Sequence, residues 1–105
     1  DFRQILQDKT TNLIKITREI DGKKIRVAGI ISGLKKIMTK NGRPMLFVKL
    51  EDLTDKIEIV VFPSVLERNP LPFSENKVVF VTGRVSYKDD SPKIICDEVQ
   101  EIIEA

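Results

Sequence analysis

Two apolar sets at strict period two, one short turn apart, constrain this chain more than any other feature. Leu46, Val48 and Leu50 alternate with Met45, Phe47, Lys49 and Glu51. After the turn Leu53-Thr54-Asp55-Lys56 the alternation resumes, with Ile57, Ile59 and Val61 set against Glu58, Val60 and Phe62. Successive side chains of a strand point to opposite faces, so this pattern reads as two half-buried strands joined in a hairpin. The aliphatic phase is the core. Phe47 then falls on the outer phase beside Lys49, because the reverse register would expose Leu46, Val48 and Leu50.

The flanking segments extend the same logic. From Lys24 a period of two runs through Ile25, Val27, Gly29 and Ile31 and on to Ile37, longer than an ordinary strand. Gly29 and Gly33 permit bends within it, and the alternation blurs at Ile30-Ile31 as a bulge would make it. Asn41-Gly42 supplies a turn. Pro63 stops the sheet, and Ser64-Val65-Leu66-Glu67 has the spacing of a helix capping box. Asn69-Pro70-Leu71-Pro72 limits that helix to a turn or two, with Leu71 and Phe73 expected to plug one end of the core. Lys77 to Tyr87, with Gly83 inside, and Lys93 to Ile103 form two more strands about the turn Lys88-Asp89-Asp90-Ser91-Pro92. Upstream, Phe2, Ile5 and Leu6, and then Leu13, Ile14, Ile16 and Ile20, have rough helical spacing, with Thr11 or Asn12 as a cap. The expected fold is therefore all-β, a five-stranded Greek-key OB-fold barrel with a short helix between strands 3 and 4. Residues 1–22 are expected to form a helical or irregular N-terminal connector and residues 23–105 the barrel. An open five-stranded sheet with the helix on one face is the alternative that the long glycine-bearing strands disfavour.

At 105 residues the chain is one domain in size. It lacks an apolar run long enough to span a bilayer and a signal-peptide pattern, and no membrane partner is expected. It starts at Asp1, and is expected to be an excised domain of a longer protein. One cysteine and no histidine exclude a disulfide framework, a zinc site of several Cys or His ligands, and Ser-His or Cys-His nucleophile chemistry. Cys96, in the run Ile94-Ile95-Cys96, reads as a small buried hydrophobe. Glu51, Asp52 and Asp55 form a carboxylate cluster of the kind that suggests Mg²⁺, but acidic turns are common, and no metal or other cofactor is expected. Nothing in the pattern pairs an acid with a base, so the fragment is read as no enzyme.

Charge is distributed unevenly. Lys23 to Lys49 holds eight basic residues and no acidic one, whereas Leu50 to Ala105 holds six basic and twelve acidic residues. A block of one sign is the footprint of a polyanion partner unless the acidic half pairs with it in space. OB barrels bind on strands 2 and 3 and the loops after strands 1 and 4. The candidate nucleic-acid-binding residues on that surface are Lys35, Lys36, Lys40, Asn41, Arg43, Met45, Phe47, Lys49, Glu58, Tyr87 and Lys88. Single strands need cations for phosphates and aromatic faces for bases. Phe47 is the clear stacking candidate; Tyr87 is one as well or else only covers a barrel end. Weak, salt-sensitive binding with little sequence preference is expected.

Met38-Thr39-Lys40-Asn41-Gly42, Met45 to Asp52, Ile57 to Pro63 and Val81-Thr82-Gly83-Arg84-Val85 resemble the OB domain (tRNA anticodon-binding type) of the bacterial DNA polymerase III alpha subunit. Pro92-Lys93-Ile94-Ile95 and Asp97-Glu98-Val99 extend the likeness, which covers Lys24 to Ile103. The resemblance implies a monomeric cytoplasmic domain of the bacterial, nucleoid-associated replication machinery. It would hold single-stranded DNA template beside the other domains of the parent polymerase, whose catalytic carboxylates lie outside this fragment. The wider family includes anticodon-binding domains of class II aminoacyl-tRNA synthetases, where an aromatic at the Phe47 position stacks on an anticodon base and the residue at the Glu58 position helps read it. A carboxylate at Glu58 argues against tRNA reading. The segment after Pro63 is shorter in helix and richer in proline than the polymerase pattern. A module docking other polymerase domains or replisome partners is the rival reading.

Overall fold

The computed structural model describes residues 10–88 and 90–102; the helical spacing of Phe2, Ile5 and Leu6 lies outside them. Five strands, β1 (Lys24–Met38), β2 (Pro44–Glu51), β3 (Lys56–Val61), β4 (Val78–Lys88) and β5 (Ser91–Glu101), surround a core, with helix α1 (Pro63–Arg68) between β3 and β4. They close into a barrel in the order β1-β2-β3-β5-β4. Every neighbouring pair is antiparallel except β3 and β5, which run parallel with Glu58, Ile59 and Val60 opposite Lys93, Ile94 and Ile95. The strand count, their order and the place of the helix agree with the sequence reading, and closure rules out the open sheet.

β1 serves two neighbours. Lys24 to Ile30 pair with β4, and Ile30 to Met38 pair with β2. The register shifts between Ile31 and Gly33, leaving Ser32 as the extra residue. That bulge resolves the blurred alternation: Ile31 lies fully buried opposite Leu50, while Gly33 falls on the outer phase opposite Lys49. Strands cross closely at two other glycines. A Cβ on Gly29 would sit 2.4 Å from the carbonyl oxygen of Glu51, and one on Gly83 would sit 2.3 Å from that of Ile95.

Leu46, Val48, Leu50, Ile57, Ile59 and Val61 all enter the core, joined by Val27, Ile31, Val81 and Ile94. Each such side chain contributes roughly 1.5–3 kcal/mol when fully buried. The segment ahead of the barrel forms two short 3-10 turns, Leu13–Lys15 and Arg18–Ile20. Leu13 and Ile16 join the core, Ile20 packs against it, and Ile14 is exposed. Asn12 precedes the first turn without a side-chain capping bond; instead Asp52, at the end of the β2 strand, accepts the Leu13 N–H at 2.8 Å.

Two expectations fail around α1. The helix starts at Pro63, whose fixed φ suits the first helical position, so Phe62 is the cap residue and no side chain caps it. Ser64 is thus already inside the helix, and Glu67 is free to bond elsewhere. Leu71 does not plug the core but is 78% exposed; Pro72 is buried and Phe73 packs against the core instead. The proline on each side of Leu71 makes this tight turn, and the turn presents the intervening side chain to solvent.

Candidate nucleic-acid interface

Two consecutive rows of outward side chains cross the barrel wall. One runs Lys35, Phe47, Val60, Ile95, and the next runs Gly33, Lys49, Glu58, Lys93, over β1, β2, β3 and β5 in turn. Rows on one face of a sheet are about 7 Å apart along the strands. A hollow of about 620 Å³ lies over them. Gly33 is part of its wall, and a Cβ there would meet nothing within 4 Å. Met45 and Val60 are 9% and 6% exposed and lie outside the barrel core. They offer little surface themselves. Phe47 is half-buried on this outer layer, fixed in place yet open on the solvent side.

The cations gather on the same hollow. Lys35 and Lys49 flank Phe47, as the sequence suggests, and Lys56 and Lys93 join them. Lys93 Nζ lies 3.5 Å from Glu58 Oε1, so the carboxylate that would repel phosphate is paired. Sequence reasoning misses Lys93 because it lies 35 positions from Glu58; the signal that finds it is barrel closure, which must seat β5 beside β3. Of the eight basic residues from Lys23 to Lys49, only Arg43 takes part in an ion pair among the described residues. The acidic half of the chain therefore leaves the basic block largely uncompensated.

The other candidates are dispersed. Arg43 donates from Nε and Nη2 to both carboxylate oxygens of Glu67, at 3.1 and 2.9 Å. These hydrogen bonds hold the Glu67 carboxyl below its ordinary pKa and raise that of Arg43, and they tie the β1–β2 loop to α1. Lys40 and Asn41 are exposed at the loop tip, where Gly42 has φ of 75°. Lys36 stands opposite the core residue Leu46, in the phase opposite to Phe47. Tyr87 and Lys88 lie at the end of β4, by the turn into β5. The Arg18 guanidinium covers the Tyr87 ring at 4.9 Å from its centroid, the Tyr87 N–H donates to Asp21 Oδ1, and Arg18 pairs with Asp90. Tyr87 thus fastens the β4–β5 turn to the upstream segment, one ring face already occupied.

Two acidic groups raised by the sequence have structural partners. Partial burial favours the neutral form of Asp52. Bonds from the Thr54 hydroxyl and from the N–H groups of Leu13, Asp55 and Thr54 outweigh it and hold the carboxyl below its usual range. Burial, with the charge of Asp97 adding to it, pushes the Cys96 thiol up to about 12. A second hollow, of about 740 Å³, lies across the barrel near α1. Arg26, Arg68, Phe80, Asp97 and Glu98 line it, and the Arg26 guanidinium sits 4.1 Å from the centroid of the Phe80 ring. Its charges balance, two basic against two acidic, whereas the hollow over Phe47 has four lysines against Glu58 alone.

A closed five-stranded barrel with a helix between the third and fourth strands is an OB-fold, a class built to bind along the β2–β3 face. The chain belongs to the OB-fold nucleic acid binding domain family, which residues 25–102 match. It is similar to the DNA polymerase III subunit alpha of Treponema pallidum, 26% identical over 97% of this chain and 9% of that protein. It is also similar to that of Mycobacterium tuberculosis, 32% identical over 71% of this chain and 6% of that protein. The chain thus spans less than a tenth of these relatives. Among solved structures, asparaginyl-tRNA synthetase from Pyrococcus horikoshii shares the fold with a TM-score of 0.71 at 18% identity, over 91% of this chain and 23% of that one.

Proposed function

We propose that this chain is a non-catalytic OB domain of a replicative DNA polymerase that binds single-stranded DNA template weakly and without strong sequence preference. Residues 1–22 serve it as connector. The observation that carries the reading is the hollow over Phe47, where one fixed aromatic face lies among Lys35, Lys49, Lys56 and Lys93. A base stacked on Phe47 gains roughly 1–3 kcal/mol whatever its identity. The lysines are point charges that attract phosphate without fixing its geometry. Family membership and the polymerase relatives support the same reading.

Fluorescence titration of a labelled oligonucleotide across salt concentrations tests it. Each phosphate neutralised on a single strand contributes a slope of about −0.7 in log affinity against log salt, so three to four engaged lysines give about −2 to −3. Phe47→Ala is expected to weaken binding about thirtyfold, the middle of the stacking range. An absence of binding at low ionic strength, or a Phe47→Ala variant that binds as well as the parent chain, would sink the reading. The mixed-charge hollow at Arg26, Arg68, Asp97 and Glu98 favours a second reading, a module that docks other polymerase domains or replisome partners. It takes precedence if the Phe47 face proves silent toward DNA while substitution at Arg68 or Glu98 abolishes a protein contact.

A further inference from the structure

We infer that Lys24 and Arg84, on the barrel wall beyond β5, form a second phosphate-binding site, and that a single strand leaving the Phe47 hollow over β5 reaches it. The inference rests on the single-strand reading above and lengthens the path of the strand. The added site lies on β4 and the first half of β1, and neither of its residues lines the hollow.

The row of outward side chains that holds Phe47 does not end at Ile95. Ile95 stands opposite Arg84, and Arg84 stands opposite Lys24. The full row is Lys35, Phe47, Val60, Ile95, Arg84, Lys24; it leaves β1 in its second half and returns to it eleven positions earlier. Because the strands of a closed barrel are tilted and staggered, such a row is a helical path round the wall. Adjacent strands are about 4.8 Å apart, so three steps put Arg84 about 14 Å from Phe47 along this path, with Lys24 one step further.

The pair costs the sheet stability. Like charges directly opposite on neighbouring strands repel, and here both side chains are exposed. Neither joins an ion pair among the described residues. Exposed Lys23 stands at the rim beside them, its carbonyl accepting the Val85 N–H at 2.9 Å. The nearby acids are engaged elsewhere: Asp21 accepts the Tyr87 N–H, and Asp97 and Glu98 share the other hollow with Arg26 and Arg68. A phosphodiester backbone supplies the negative charges that the fold withholds. No aromatic ring lies on the row beyond Phe47, so this contact is one of charge alone and adds no base preference.

The test uses oligothymidylates of about 4 and about 12 nucleotides, within the range that one OB barrel engages, titrated by fluorescence anisotropy across salt concentrations. Two added phosphate contacts should make the slope of log affinity against log salt steeper for the long strand by about 1.4. Extra binding registers on a longer strand raise its affinity without changing that slope, so the slope isolates the second site. The double variant Lys24→Gln, Arg84→Gln should bring the long strand's slope down to that of the short one. The short strand's affinity should stay unchanged, which also shows that the variant is folded. Arg84→Lys keeps the charge and should keep the long strand's slope. Equal slopes for the two lengths, a steeper long-strand slope that survives the double variant, or a short-strand affinity that falls with it overturns the inference and leaves the single-strand reading standing. Failure of both lengths to bind the parent chain overturns both.

Discussion

Gly33 and Gly83 look alike in the sequence, each a glycine inside a long strand, and the structure gives them opposite consequences. A Cβ on Gly83 would lie 2.3 Å from the Ile95 carbonyl oxygen and 2.7 Å from Cγ2 of Ile94. The nearer obstacle is backbone, so β4 and β5 must part by about 1 Å before ordinary contact distance is reached. Overpacking of this kind costs about 1–3 kcal/mol, and more where backbone must move. With Gly83→Ala placed at the upper end, the midpoint of thermal unfolding should fall by about 10 °C or more, since 1 kcal/mol shifts a domain of this size by roughly 4–8 °C. Gly33→Ala meets nothing within 4 Å and removes the entropy penalty of glycine in a strand, so it should be neutral or stabilise by about 0.5 kcal/mol.

Binding should separate the two in the other direction. Gly33 stands opposite Lys49, in the row beside Phe47, so Gly33→Leu would fill the hollow from its wall without touching the core. Thermal unfolding and oligonucleotide titration on the same samples give the comparison. Gly33→Leu should keep the unfolding midpoint within a few degrees and lose most of the affinity. Gly83→Ala should lose stability and, while folded, keep the affinity. If Gly83→Ala proves no less stable than Gly33→Ala, the close strand crossing at Ile95 is wrong. If Gly33→Leu binds as well as the parent chain, the hollow is not where the strand lies.

Three further outcomes follow from individual contacts. The Asp52 carboxyl has its pKa lowered in the folded chain, so its stabilisation is complete above the unfolded value near 3.9 and is lost as pH falls through the folded value; urea midpoints measured from pH 6 downward should show this acid limb. Asp52→Asn should flatten that limb and cost about 1 kcal/mol at neutral pH, and an unchanged limb would refute the role given to the Leu13, Thr54 and Asp55 bonds. Glu67→Gln frees Arg43 from its bidentate partner, so oligonucleotide binding should strengthen and its salt slope steepen by about 0.7; no change would show that Arg43 is out of the strand's reach. Cys96, with its thiol pushed up to about 12, should react with a thiol reagent only as fast as the chain unfolds, and a rapid stoichiometric reaction in the native state would contradict its burial.

The sequence makes the barrel legible because its core residues obey a local rule. Leu46, Val48, Leu50, Ile57, Ile59 and Val61 declare their face through neighbours two positions away, and Phe47 inherits the opposite face from them. What stays hidden depends on pairings made far along the chain. Lys93 belongs to the hollow only because β5 lies parallel to β3. Arg43 looks like a loop cation until Glu67, whose spacing suggests a helix cap, is found holding it. Tyr87 reads from the sequence as either a second stacking ring or a cover for a barrel end, and Arg18 from the upstream segment lies over its ring. Strand phase settles which way a side chain points; which side chain it meets there requires the strand order and the register.

On the proposed reading, the weakness of single-strand binding follows from the same inventory. Among the described residues, the face has one uncovered stacking ring at its centre and lysines rather than bidentate arginines around it, since Arg43 is committed to Glu67 and Arg26 lies over Phe80. One ring and a few point charges sum to weak affinity. On the proposed reading that weakness fits a domain that spans less than a tenth of its relatives. A strand already held elsewhere in the same protein reaches a tethered site at an effective concentration of about millimolar. A weak site is then occupied most of the time, yet it releases each nucleotide quickly enough for the strand to advance. A tight, sequence-reading surface would oppose that movement, and this favours stacking and diffuse charge over a rigid set of contacts along the strand.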